Sequence, residues 1–152
     1  MNYFSEPGPM GMFTRLTRVG LLLDAFQHRC LDRFGLKFID YSVLRVLQLA
    51  GPPYELTTGE LGDTVLRSSG GITQIVDRLE RDALVKRVSD RSDRRKVVVR
   101  LTPAGRELAQ RASAAYARER RRVINALSAE EVEQADEAIR LLLDVFTADA
   151  HA

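Results

Sequence analysis

The sequence predicts a mainly α-helical fold carrying one small β-hairpin. Three observations carry this. Apolar residues recur at three- and four-residue steps over most of the chain, as on the buried face of a helix. Residues 85–102, VKRVSDRSDRRKVVVRLT, instead place Val85, Val88, Val97, Val99 and Leu101 in two strand-like runs around a charged tip. Glycines, prolines and capping residues divide the remainder into helix-length segments.

In chain order, residues 1–12 hold Pro7, Gly8, Pro9 and Gly11 and read as a flexible arm. A first helix is expected over 13–34, where Leu16, Val19, Leu23, Phe26 and Cys30 share one face, with Gly35 as its stop. A second, over 40–49, carries Val43, Leu44, Val46 and Leu47 and ends at Gly51-Pro52-Pro53. A short extended segment at 55–57 precedes a compact helix over 58–66, with Thr57 or Thr58 as N-cap. The next helix, over 68–82, buries an i, i+3, i+4, i+7 stripe of Ile72, Ile75, Val76 and Leu79. After the hairpin, Thr102 and Pro103 are the cap and first residue of a long helix, apolar from Leu108 to Leu127. Ser128 with Glu131 makes a capping box for a last helix through Ile139, Leu142, Leu143 and Phe146.

Helix, short polar turn, amphipathic helix and basic hairpin is the order of a winged helix-turn-helix, here spanning 40–101. The outward residues of its second helix are Ser69, Gly70, Thr73, Gln74, Asp77 and Arg78, none of them large and apolar. Gln74 suits a bidentate bond to adenine, Ser69 and Thr73 suit bases or phosphate, and Arg78 suits phosphate or guanine. Gly70 and Gly71 each cost a helix interior about 1 kcal/mol against alanine, yet permit close backbone approach. The hairpin tip bears Asp90, Arg91, Asp93, Arg94, Arg95 and Lys96 with no apolar face to bury. An anionic partner, most economically nucleic acid, explains such a tip. The helices over 13–34 and 103–148 exceed what a winged core needs. Their apolar stripes call for a second copy of the chain, which makes them a helical dimerisation lobe.

A chain of 152 residues with 45% hydrophobic and 29% charged residues fits one soluble domain spanning 1–152. Net charge is only +2, but it is unevenly placed. Residues 67–106 hold 11 basic against 5 acidic side chains, and residues 128–152 hold 1 against 7. The single Cys30 rules out an intrachain disulfide and fits a reducing, cytoplasmic setting, nucleoid-associated if the anionic partner is DNA. No apolar run has membrane-spanning length, and the N-terminus lacks the pattern of a secretory signal.

The chain resembles the MarR family of bacterial transcriptional regulators over residues 13–146. The residues that carry the resemblance are the wing DRSDRRKVVVRLTPAG, 90–105, and the preceding ITQIVDRLERDALVKR, 72–87. The resemblance implies a homodimeric repressor of a pseudo-palindromic double-stranded operator, released by a small organic effector bound between its dimerisation and DNA-binding lobes. It implies that Asp93 orients Arg95 into the minor groove, that Arg94 and Lys96 hold phosphates, and that residues 68–82 lie in the major groove. The candidate DNA contacts are then Ser68, Ser69, Gly70, Thr73, Gln74 and Arg78 with Arg91, Asp93, Arg94, Arg95 and Lys96.

Subtype features narrow the effector a little. The tryptophan of urate-responsive relatives is absent. Cys30 lies toward the end of the first helix on its apolar stripe, where a small buried hydrophobe is favoured over a redox-sensing thiol. His28 and Cys30, two residues apart, face different sides of a helix and make a poor metal pair. Phe38, Tyr41, Arg45 and Arg18 fall near the family cleft, but each reads better as a packing or surface residue, so the effector contacts are left unassigned. No glycine-rich phosphate loop, nucleophile elbow or paired metal histidines support an enzyme or a cofactor. A winged module for protein or RNA is the rival class. The absence of aromatics between Tyr54 and Tyr116 weighs against stacking on single strands.

Overall fold

The computed structural model describes residues 7–89, 92–93 and 95–150. Helix α1 (Gly8–Leu31) starts within the segment expected to be a flexible arm, which corrects that reading for residues 8–12. Pro9 sits in its first turn, where a missing N–H costs no intrahelical bond, so proline starts this helix instead of preventing it. Residues 1–6 of the expected arm lie outside the described residues. A single 3-10 turn, Asp32–Phe34, follows, and Gly35 closes it with φ 65° and an N–H donated to the Asp32 carbonyl at 2.8 Å. Helix α2 (Phe38–Leu49) ends before Gly51 and the Pro52-Pro53 pair, as the sequence indicated.

Strand β1 (Glu55–Thr57) leads directly into helix α3 (Thr58–Thr64), and Thr57 is the cap. The Thr57 Oγ1 accepts from the Glu60 N–H at 3.2 Å, and the Glu60 carboxylate accepts from the Thr57 N–H at 2.8 Å. Helix α4 (Ser69–Arg81) follows after a turn of four residues. Strands β2 (Val85–Ser89) and β3 (Val97–Leu101) form the hairpin, with Val88 opposite Val98. Strand β1 pairs with the other edge of β3, Leu56 opposite Val99, giving an antiparallel sheet in the order β1-β3-β2. This third strand is where the extended segment at 55–57 goes.

The backbone divides into two compact units, residues up to Tyr116 and from Ala117 onward. In the first, Leu31, Leu44, Leu47, Leu61, Ile72, Val76, Leu79, Val85 and Val99 are fully buried in one core. Each such side chain contributes roughly 1.5–3 kcal/mol, so the core locks α2, α3, α4 and the sheet together. Helix α5 (Pro103–Ile124) opens with the Thr102 Oγ1 accepting from the Gly105 N–H at 3.0 Å. The same hydroxyl donates to the Ala83 carbonyl at 2.8 Å and so ties the start of α5 to the end of α4. Gly105 packs so closely on the Leu84 carbonyl that no side chain fits.

The second unit contains the end of α5 and helix α6 (Ala129–Ala150), none of whose residues is buried. Ser128 and Glu131 make the capping box reciprocally, at 2.8 and 3.2 Å. Among the described residues no helix is long and apolar enough to cross a membrane.

Candidate nucleic-acid interface

Burial of Ile72, Ile75, Val76 and Leu79 fixes the rotation of α4 about its axis. The opposite face then exposes Ser69, Gly70, Thr73, Gln74 and Asp77, five of the six outward residues expected. Ser68 is the N-cap, its Oγ accepting from the Gly71 N–H at 3.2 Å. Thr73 donates its hydroxyl to the Ser69 carbonyl at 2.8 Å, so only its lone pairs remain for another donor. The Gln74 amide makes no hydrogen bond among the described residues.

Arg78, read as a phosphate or guanine donor, is only half-buried on that face and is also engaged by a carboxylate of the core. Its Nε donates to Asp40 Oδ2 at 3.2 Å, and its Nη2 donates to Asp40 Oδ1 in a very short bond. Asp40, on α2, is the buried charged side chain of the core, with 4% of its surface exposed. A buried carboxylate without a partner is costly, so Asp40 holds the nearby guanidinium in place. The hydrogen bond to Asp40 raises the Arg78 pKa above its ordinary value.

Two further arginines of the basic stretch are also taken up internally, which sequence reasoning missed. Arg87 on β2 donates to Asp77 at 2.5 Å and to Glu80, while its own backbone N–H is accepted by Glu80 at 2.9 Å. Burial acts to lower the Arg87 pKa, but the hydrogen bonds to Asp77 and Glu80 outweigh it and raise the value. The Arg87 backbone bond in turn lowers the Glu80 pKa. Arg100 on β3 donates to Glu55 at 2.6 Å, across the register that pairs these residues. The i, i+3 carboxylates Asp77 and Glu80 on one helix face were the available signal.

With these three arginines paired internally, Arg95 and Lys96 are exposed basic residues of the wing. Asp93 accepts from the Arg95 backbone N–H at 3.0 Å and from its Nε at 3.4 Å. One carboxylate oxygen therefore meets both the backbone and the side chain of the residue it was expected to orient. The Arg95 side chain is 93% exposed, and Lys96 is exposed beside it. Asp90 and the expected contacts Arg91 and Arg94 lie outside the described residues.

Between α1, α2 and the turn after α3 lies a cavity of about 620 Å³. Lys37, Phe38, Tyr41, Arg45, Val65 and Arg67 line it. Three of the four residues named from the sequence near a cleft are thus at the cavity, while Arg18 is not among its lining. Tyr41 is mostly packed, its hydroxyl 3.2 Å from Ser113 Oγ. Cys30 is buried in the core, in keeping with a packing residue.

A profile of the MarR family matches residues 34–96. The HTH-type transcriptional regulator MhqR of Bacillus subtilis is 30% identical over 129 residues, covering 85% of this chain and 87% of its own. The HTH-type transcriptional regulator PecS of Dickeya dadantii is 27% identical over 123 residues, 81% and 74% of the two chains. Among solved structures, a MarR family regulator from Streptomyces coelicolor in complex with DNA superposes with TM-score 0.81 at 24% identity, over 92% and 91% of the chains. A mutant MarR from E. coli complexed with operator DNA gives 0.78 at 22%, over 94% and 99%. These structural likenesses show the shared winged-helix fold.

Proposed function

Because this chain belongs to the MarR family of transcriptional regulators, a family of DNA-binding regulators and not of enzymes, we propose that it is a homodimeric repressor of a pseudo-palindromic operator, released by a small organic effector. The observation that carries the DNA reading is the pairing of a polar, unobstructed α4 face with a wing whose exposed Arg95 is pre-oriented by Asp93. The α4 face suits the major groove, which carries a unique donor and acceptor code. An oriented arginine suits the narrow, electronegative minor groove. Relatives of this fold solved with operator DNA support the same partner.

Ser68, Ser69, Gly70, Thr73 and Gln74 of α4 are the proposed major-groove contacts, with Arg91, Asp93, Arg94, Arg95 and Lys96 on the wing. Large exposed apolar side chains support dimerisation: Val19, Leu21, Leu22 and Leu23 on α1, and Ile139, Leu141, Leu143 and Val145 on α6. A second copy covering them removes a surface that is costly in water. The cavity beside α2 supports the effector reading, with apolar Phe38 and Val65, and with cationic Lys37, Arg45 and Arg67 outnumbering the Asp24 carboxylate, which suits a small organic acid.

Selection of duplexes from a randomised pool, followed by footprinting, tests the reading. Two inverted half-sites about 10 base pairs apart are expected. A single unrepeated half-site, or a preference for single-stranded DNA or RNA, would count against it.

A further inference from the structure

We infer that Gly70 is glycine for the sake of the DNA and not of the fold, and that its bare backbone sets how closely the first turn of α4 approaches the duplex. This rests on the interface proposed above.

The fold accounts for the other glycines around it. Gly35 and Gly51 have φ of 65° and 73°, which side chains rarely adopt. At Gly62 an added Cβ would lie 2.9 Å from the Arg67 carbonyl oxygen, and at Gly105 it would collide with the Leu84 carbonyl. Even the adjacent Gly71 is constrained. A Cβ there would stand 3.3 Å from Ser68 Oγ, the atom that accepts the Gly71 N–H and caps the helix.

Gly70 meets none of these conditions. It is exposed, its φ is not positive, and a Cβ built on it finds nothing within 4 Å. Glycine at such a position only weakens the helix relative to alanine, so folding supplies no reason for it. Its neighbours on the same face, three and four residues on, are Thr73 and Gln74. Helical side chains lean toward the N-terminus, so the Gln74 side chain extends over the turn that Gly70 leaves bare. A side chain at position 70 would stand between the Gln74 amide and a base edge. Gly20 on α1 is equally open, but Val19, Leu21 and Leu22 around it are exposed apolar residues. Gly59 on α3 would meet only the capping Thr57 Oγ1, at 3.9 Å, and Thr58 and Glu60 beside it belong to the cap turn.

The test pairs stability with binding for Gly70→Ala and Gly70→Leu, using a duplex selected by the wild-type protein and Gln74→Ala and Arg95→Ala as companions. Gly70→Ala is expected to unfold at the same or a higher temperature while binding about tenfold more weakly, the size of one lost groove contact, with Gly70→Leu weaker still. If both Gly70 variants bind like wild type while Gln74→Ala or Arg95→Ala binds more weakly, the inference fails and the interface stands. If none of the four weakens binding, the interface itself fails and the inference with it. A destabilised Gly70→Ala also overturns the inference, because the fold would then require the glycine.

Discussion

The buried Asp40 carboxylate on α2 and the Arg78 guanidinium on α4 form a two-pronged ion pair between residues 38 apart in sequence. The two partners are unequally placed, with the Asp40 side chain 6% exposed and that of Arg78 33%. Removing Arg78 strands a charge in the core, whereas removing Asp40 leaves a guanidinium that can turn to water. Arg78→Ala should therefore cost roughly 3 kcal/mol and Asp40→Ala less, about 1–2 kcal/mol. Urea unfolding of both variants measures the difference, and equal costs would contradict this asymmetry.

That pair also marks a limit of what the sequence disclosed. The caps at Thr57, Thr102 and Ser128 were legible because each depends on residues three apart, and the α4 stripe because its period is local. Asp40 gave no local sign of its partner, so Arg78 read as one more surface cation. The pairing of β1 with β3 was hidden in the same way, since three residues carry no periodicity that names a neighbour. Pro7 and Pro9 misled about the start of α1 because proline is compatible both with loops and with a helical first turn. Of the candidate interface, the outward α4 face was readable from its periodicity and the Asp93–Arg95 pair from the family resemblance, while the internal neutralisation of Arg87 and Arg100 required the tertiary fold.

Arg95→Ala should weaken operator binding by ~1–3 kcal/mol and reduce the salt dependence by about one phosphate-equivalent. Gln74→Ala should relax preference at one or two base positions and leave the salt dependence unchanged, because glutamine carries no charge to exchange for counterions. Titrations against an operator library at several salt concentrations separate the two. An unchanged affinity for Arg95→Ala in a normal dimer would reduce the wing to a solvated hairpin.

Gly105→Ala should be among the most damaging single-methyl changes in the chain. The new carbon would collide with the Leu84 carbonyl at the junction of α4, the sheet and α5. A cost of roughly 3 kcal/mol or more is expected from such overpacking against backbone. Gly70→Ala serves as the matched control in the same thermal unfolding experiment, since it meets no neighbour.

Acid should loosen the winged unit. The Glu60 and Glu80 pKa values are lowered, chiefly by the backbone N–H groups of Thr57 and Arg87 that donate to them. A carboxylate with a folded-state pKa below its unfolded value adds stability at neutral pH and loses it as pH falls through the folded value. Stability should accordingly decline as pH drops below about 4.3, the unfolded glutamate value. Glu80→Gln should flatten that decline when unfolding is followed across pH.

Truncation of residues 128–152 should abolish the proposed dimer, because it removes the exposed apolar side chains of α6. Sedimentation at micromolar concentration decides this. A full-length monomer, or a truncated chain that remains dimeric, would defeat it.

Strand β3 is hydrogen-bonded along both edges, to β1 and to β2, and β1 continues without a break into α3. A strand held on both sides cannot swing without rupturing a ladder, so the paired strands Val85–Ser89 and Val97–Leu101 form a fixed base. The root of the wing and the outward face of α4 are thereby set at a constant offset, like two prongs of one gauge. On the proposed interface, a half-site is expected to present its minor-groove and major-groove features at that spacing, and inserting a base pair between them should be far harder to accommodate than exchanging a single base.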